Sequence, residues 1–266
     1  MSPSVQSHSS ETVLQSLKIA SLNCHGFNQG AGAISALCDK NDLDIDIIFL
    51  QELWLTPDAF TKIESFDDNY ICFGKSAMDA AVRSSVLKGR PFGGLCILLK
   101  SQIAQIVRYS KISERYAAII IDNYLIVNVY FPTISNDADL CIVQSMIADI
   151  EEIIVSYPGL QIVCGGDFNV NLDKLTGHSR IFASLMSDCD LISTHSIIPS
   201  NMTYTYCHET LQRFSYIDYF LISHDIKPDL RDFKIIDLAV NHSDHCIIFM
   251  ELGCNLVLKI KRHSEN

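Results

Sequence analysis

Short apolar runs separated by turn residues recur along most of the chain. They include "LKIASLN" (17–23), "DIIFLQE" (46–52), "GGLCILLK" (93–100), "YAAIIID" (116–122) and "YLIVNVYF" (124–131). "LQIVCGGDF" (160–168), "IDYFLIS" (217–223), "DFKIIDLA" (232–239) and "CIIFMEL" (246–252) follow. Several are almost continuously apolar, the pattern of strands covered on both faces. A helical period appears after Asp139, a suitable N-cap: Val143, Met146, Ile147, Ile150, Ile153 and Ile154 lie on one face, with Asp149, Glu151 and Glu152 opposite. Pro158 and Gly159 end it. Two further helices are expected around Ile34 and Leu37 and around Ile181 and Leu185. The pattern predicts an α+β chain, two sheets with helices outside. Residues 17–253 form the domain, and 1–16 and 254–266 are expected to be flexible tails.

Composition narrows the class. Of 266 residues, 48% are hydrophobic and 19% charged, enough for a sizeable core. The longest apolar runs are about five or six residues, far below the roughly 18 that span a bilayer. The N-terminus "MSPSVQSHSSETVLQS" lacks a basic-then-apolar secretory pattern. The expectation is an intracellular protein, nuclear or cytoplasmic, without membrane association. Ten cysteines are scattered without C-x-x-C spacing, several inside apolar strands (Cys72, Cys96, Cys164, Cys246). That suits buried free thiols and argues against a disulfide framework or structural zinc. The net charge of −11 weighs against gripping nucleic acid by bulk electrostatics. Yet from Lys75 to Arg115 eight basic residues face only Asp79 and Glu114. This is a local excess that either steers a polyanion or is a solvated surface.

Chemistry-bearing residues collect at strand ends. The first strand ends at Asn23, the second at Glu52 in "FLQELW", and Tyr130 lies in "NVYFP". "GGDFN" supplies Asp167 and Asn169, Asp218 opens "IDYFLIS", and Asp244-His245 opens "CIIF". Each has an ordinary alternative, since Asn, Ser and Asp also make turns by bonding their own backbone. Together they place carboxylates and amides on one side of a sheet, where sites form. Carboxylates and an amide oxygen, with no Cys or His pair at ligand spacing, suit a hard cation such as Mg²⁺. An Asp acts as base toward water, and a His held by a carboxylate stays protonated for a phosphate. Asn and Tyr supply neutral donors for developing charge. Phosphodiester hydrolysis needs these parts.

"SLNCHG", "LQELW", "NVYFP", "GGDFN", "YIDYFLIS" and "SDH" stand in the order that resembles the endonuclease/exonuclease/phosphatase superfamily, over about residues 17–252. Within it the chain is most similar to the apurinic-type endonuclease domains of non-LTR retrotransposons. The resemblance implies a four-layer α/β sandwich, two packed mixed β-sheets flanked by helices. It also implies a DNA endonuclease using Mg²⁺, or Mn²⁺ in its place, that nicks one strand and leaves a 3′-hydroxyl. Glu52, Asn23 and Asp244 are then the metal residues. Asp167 activates water or handles the leaving-group proton, Asn169 orients the water, and Tyr130 and His245 contact phosphate while Asp218 fixes the His245 ring. His25, Thr203 in "TYTY" and Arg213 are candidates for contacting DNA. Repair relatives carry an acidic residue where this chain has His25, and Asn where it has Thr133. DNA is the expected partner and a monomer the expected state. The alternatives are another phosphoesterase of the superfamily, acting on a lipid headgroup, inositol phosphate or RNA, and a non-cleaving remnant.

Overall fold

The structure, a computed structural model, describes residues 10–40, 43–84, 89–174 and 176–260. Its strands are β1 (Ser10–Asn23), β2 (Ile47–Gln51), β3 (Tyr70–Lys75), β4 (Leu95–Lys100), β5 (Val107–Ile112), β6 (Tyr116–Ile121) and β7 (Tyr124–Tyr130). Then come β8 (Gln161–Asp167), β9 (Leu191–Ser193), β10 (Tyr206–His208), β11 (Arg213–Ser215), β12 (Asp218–Ser223), β13 (Leu230–Ile236) and β14 (Ile247–Ile260). One six-stranded sheet has the order β13-β14-β1-β2-β4-β3, the other β5-β6-β7-β8-β12-β9. Both are mixed, since β1 runs parallel to β2 and β7 parallel to β8. β10 and β11 form a separate hairpin.

The near-continuous apolar runs become strands buried on both faces, β2, β6 and β12 along their whole length. One face of each sheet meets the other sheet. The outer face of the first packs Ala20, Ile48 and Leu98 against Ile34 and Leu37 of helix Phe27–Cys38. The second is covered by helices Asp137–Ser156, through Val143, Met146 and Ile150, and Gly177–Asp188, through Phe182 and Leu185. This is the four-layer α+β sandwich expected from the motifs.

A buried polar clamp crosses the inter-sheet core. Asn128 on β7 donates from Nδ2 to the carbonyls of Leu50 (3.1 Å) and Cys96 (2.8 Å), and its Oδ1 accepts from Gln51 Nε2 at 2.6 Å. Gln51 also donates to Ser21 Oγ at 3.0 Å. The clamp lies one residue before Glu52 and two before Tyr130, and so fixes the height at which the two sheets deliver their ends.

Two expectations change. Residues 10–16 and 254–260, read as parts of tails, belong to one long antiparallel pairing of β1 with β14 from Ser10↔Ile260 to Ser21↔Ile248, with a bulge near Ser16. The cause is strand alternation: Leu256 and Leu258 are buried while Val257 between them is exposed. The remaining tail residues, 1–9 and 261–266, lie outside the described residues. The helix expected to start at Asp139 starts at Asp137, because Asn136 is the cap and accepts from the N–H groups of Ala138 and Asp139.

Candidate phosphoesterase site

β1, β2, β7, β8 and β12 all bring a polar residue to the same end of the sandwich, and the segment before β14 closes over them. β8 is threaded between β7 and β12, which place Tyr130 and Asp218 opposite Asp167. Two glycines before Asp167 make this possible. A Cβ at Gly165 would strike the Phe220 ring, and one at Gly166 (φ +135°) would strike the Val129 carbonyl.

A buried amide joins two carboxylates. Asn23 Nδ2 donates to Glu52 Oε1 at 3.0 Å and to Asp167 Oδ2 at 2.9 Å, while its Oδ1 accepts the His25 backbone N–H at 3.0 Å. That backbone donor fixes the amide orientation, because an N–H can only meet the oxygen. Asn23, read from sequence as a metal residue, therefore turns its nitrogen toward the carboxylates. It holds two anions around one positive donor.

Asp167 is anchored further by Asn169, through the backbone N–H to Oδ1 at 2.8 Å and through Nδ2 to Oδ2 at 3.1 Å. Asn169 in turn donates to the Phe131 carbonyl at 2.9 Å and accepts from the Thr133 hydroxyl at 2.9 Å. Burial, then the Asp218 charge, pushes Asp167 up to about 7; His245, Asn23 and the Asn169 N–H pull the other way.

Beside it, His245 Nδ1 meets both Asp218 oxygens, at 3.0 and 3.2 Å. Burial disfavours its charge, but Asp218, then Asp167 and Asp244, outweigh that and raise it to about 10. The imidazolium is thus the stable form near neutrality. Ligand atoms of Asp167, Asp218 and His245 lie within 4.8 Å of one another. A protonated ring whose Nδ1 is spent on Asp218 is a poor metal ligand, so His245 and Asp218 are held by their own ion pair. Tyr130 faces Glu52; burial, then the Glu52 and Asp167 charges, lifts its hydroxyl well above the usual range, and it keeps its proton.

Glu52 is also held from the other side, where the Trp54 indole Nε1 donates to Oε2 at 3.0 Å. The Trp54 ring packs 4.6 Å from the ring of His25, whose Nδ1 lies 3.0 Å from Asp244 Oδ1. That oxygen is buried, with the His25 ring nitrogen as its close polar neighbour. Carboxylate oxygens are the donors a hard divalent cation takes, and Glu52 and Asp244 would hold it. His25, Glu52, Trp54 and Asn169 all have φ between +47° and +53°. Such left-handed non-glycine backbone costs on the order of 1–3 kcal/mol per residue and clusters at functional sites.

Asn23, Glu52, Tyr130, Asp167, Asn169, Asp218, Asp244, His245 and His25 are thus gathered. Thr203 and Arg213 are not: both are exposed, Arg213 on the β10–β11 hairpin. That hairpin still touches the site, because Tyr206 bridges His245 and its ring lies 5.0 Å from the imidazole. Several supporting residues had no role in the sequence reading. Trp54 lay inside a quoted motif. Thr205 Oγ1 accepts the N–H groups of Ile217 and Asp218. Ser243 donates to the Asn23 carbonyl and accepts from the His245 N–H, and Asn241 donates to the His245 carbonyl. The turn chemistry of "NHS" and the strand-end chemistry of "DH" are both present.

The fold recurs in solved structures. A 3′ phosphatase from Neisseria bound to product DNA hairpin is 18% identical, with a TM-score of 0.68 over 89% of this chain and 99% of that one. A 3′-5′ exonuclease from Neisseria Meningitidis is 17% identical with the same score and coverage. An AP endonuclease from Leishmania major is 15% identical, with a TM-score of 0.65 over 90% of this chain and 88% of that one. A search among curated protein sequences returned no match. The Endonuclease/Exonuclease/phosphatase family model matches residues 20–245, from the first strand of the site to its histidine, and the chain belongs to that family.

Proposed function

We propose that the protein is a Mg²⁺-dependent DNA endonuclease that nicks one strand and leaves a 3′-hydroxyl. The observation that carries this reading is the unbroken line Glu52–Asn23–Asp167, with the Asp218–His245 pair at its end. Glu52 and Asp244 would hold the cation. Bound there, Mg²⁺ supplies charge neutralisation at the scissile phosphate. Asp167 accepts the proton of the attacking water, for which a carboxyl held near 7 is well placed; as the water oxygen bonds to phosphorus the P–O3′ bond breaks, and the departing 3′-oxygen takes its proton from solvent. Asn23 and Asn169 fix both Asp167 oxygens, so the base has one orientation. His245, charged and aimed by Asp218, donates its free ring N–H to a phosphate oxygen, and Tyr130 donates from the opposite sheet. Asn23 acts here by positioning Glu52 and Asp167.

DNA as the substrate is supported by the Neisseria 3′ phosphatase bound to a DNA hairpin and by the Leishmania AP endonuclease, which share the fold. The non-LTR retrotransposon context is supported by the motif resemblance. The test is a set of 5′-labelled duplexes with Mg²⁺: intact, carrying an abasic-site analogue, or ending in a 3′-phosphate. Internal cleavage to an end that a polymerase extends is expected. Release of terminal phosphate or terminal nucleotides alone would replace the endonuclease by a 3′-end-processing enzyme, and no reaction on any duplex would refute the DNA reading.

A further inference from the structure

The basic excess between Lys75 and Arg115 sorts itself in the fold. Lys75 pairs with Asp79 at 3.5 Å, Lys100 with Asp44 and Asp46 at 2.8 and 2.9 Å, and Lys111 with Asp149 and Glu152 at 4.0 and 3.8 Å. Arg108 donates to the Asp122 carbonyl. Lys88 and the Arg83 side chain lie outside the described residues. Arg90 and Arg115 remain, and neither forms an ion pair among the described residues.

Both lie on aromatic rings of the site. The Arg90 guanidinium stands 4.2 Å over Trp54, and that of Arg115 stands 5.5 Å over Tyr130. Between them is a cleft of about 180 Å³ that opens onto Glu52, with Phe92 and Glu114 on its walls. Phe92 is 59% exposed at this cleft, with its ring face open to stacking. A guanidinium held over a ring leaves N–H groups for an anion and loses little freedom on binding. Two such cations and an exposed ring beside a phosphate-cleaving centre have the composition of a backbone-gripping, base-stacking subsite. The volume is below the roughly 300–1,000 Å³ of pockets that enclose a small ligand. It therefore seats part of a passing chain rather than a whole molecule. Glu114 opposes this anion and sets a limit on its net attraction.

We infer that the cleft between Trp54 and Tyr130 grips the DNA strand where it leaves the scissile phosphate on the Glu52 side, with Arg90 and Arg115 on backbone phosphates and Phe92 against a base. The inference rests on the nuclease reading and adds to it where the strand runs. The contacts carry no sequence information, because stacking and phosphate bonding accept any base.

The test is fluorescence anisotropy with a labelled duplex over a salt series, in an Asp167→Asn background so that the DNA stays intact. Arg90→Ala and Arg115→Ala should each weaken binding about fivefold to tenfold at 0.1 M salt and lower the log–log salt slope by about one. Arg90→Lys should restore the slope. Phe92→Ala should weaken binding about tenfold with the slope unchanged. Arg231→Ala, in the groove beside Gly253 and far from these rings, should bind normally. Wild-type-like slopes in both arginine variants, beside measurable binding by the parent, would overturn the subsite and leave the nuclease reading standing. No binding by the parent would overturn the nuclease reading itself.

Discussion

Two side chains at the site make opposite demands on the backbone and on protons. Trp54 is the only tryptophan in the chain, and its N–H is spent on Glu52. Replacing it with Phe keeps an aromatic ring and removes that donor. A hydrogen bond to a charged group is worth about 1.5–3 kcal/mol, and loss of a partner behind a metal ligand typically costs about 10–100-fold in affinity. Trp54→Phe should therefore weaken Mg²⁺ binding by about that factor in titration calorimetry. The same geometry makes Trp54 fluorescence change when wild type is titrated with Mg²⁺; an invariant spectrum would separate Glu52 from the cation. Asp167 makes a prediction about pH. Its carboxyl is held near 7 against an ordinary 3.8, so between those values the folded metal-free chain binds more protons than the unfolded one. Stability in EDTA should fall as pH rises through that interval. His245 acts in the same direction above it: its contribution is full below about 6.5 and is lost as pH climbs toward about 10. Asp167→Asn should flatten the segment from about 4 to 7 in urea denaturation while removing most activity, at least about 10²–10³-fold. An unchanged pH slope in that variant would show that the carboxyl is not strained by its surroundings. The gathering of these residues was legible at strand ends, since strand ends meet in space. Trp54, Thr205 and Ser243 were not: Trp54 bonds its neighbour Glu52 across a backbone turn that is left-handed at both residues, and Thr205 and Ser243 bond partners distant in sequence.

Among the elements, β8 and the Asn128 clamp position the chemistry. Asn128 is fully buried with each polar atom bonded, and it ties β7 to β2 and β4 across the core. Asn128→Ala leaves the Leu50 and Cys96 carbonyls and the Gln51 amide without this partner. Each unsatisfied buried group costs about 1–3 kcal/mol, partly relieved by rearrangement, so a loss of about 2–4 kcal/mol in chemical denaturation is expected. A loss below about 0.5 kcal/mol would mean that the sheets are held without the clamp. From sequence, Asn128 was only a polar interruption in an apolar strand. The strands themselves were legible because apolar runs of this length have few other uses. The far ends of β1 and β14 were missed because Asn255 and Lys259 cut "CNLVLKI" down to a run of three apolar residues, Leu256 to Leu258. So short an apolar run shows no buried face until its partner strand is known. The helix Asp137–Ser156 was legible from its period, but its start was not, because Asn136 and Asp139 are both good caps.

For the molecule as a whole, an acidic chain that belongs to a family of nucleases and phosphatases can still present cations locally beside its polar strand ends. Arg90 and Arg115 do so at the rim, while most neighbouring lysines neutralise carboxylates of their own. The order of six motifs along the chain is what made the family legible, since the motif residues converge only after two sheets have packed face to face. Substrate is set instead by exposed surface, and exposed residues such as Thr203 and Arg213 carry little signal in a single sequence. The most direct measurement is nicking of supercoiled plasmid by the purified chain as Mg²⁺ is titrated, with Glu52→Gln and Asp167→Asn alongside. Conversion to open circle by wild type, dependent on Mg²⁺ and lost by at least about 10²-fold in both variants, is the expected result. Nicking that persists in EDTA, or that both variants retain, would contradict a cation-dependent centre built on Glu52 and Asp167.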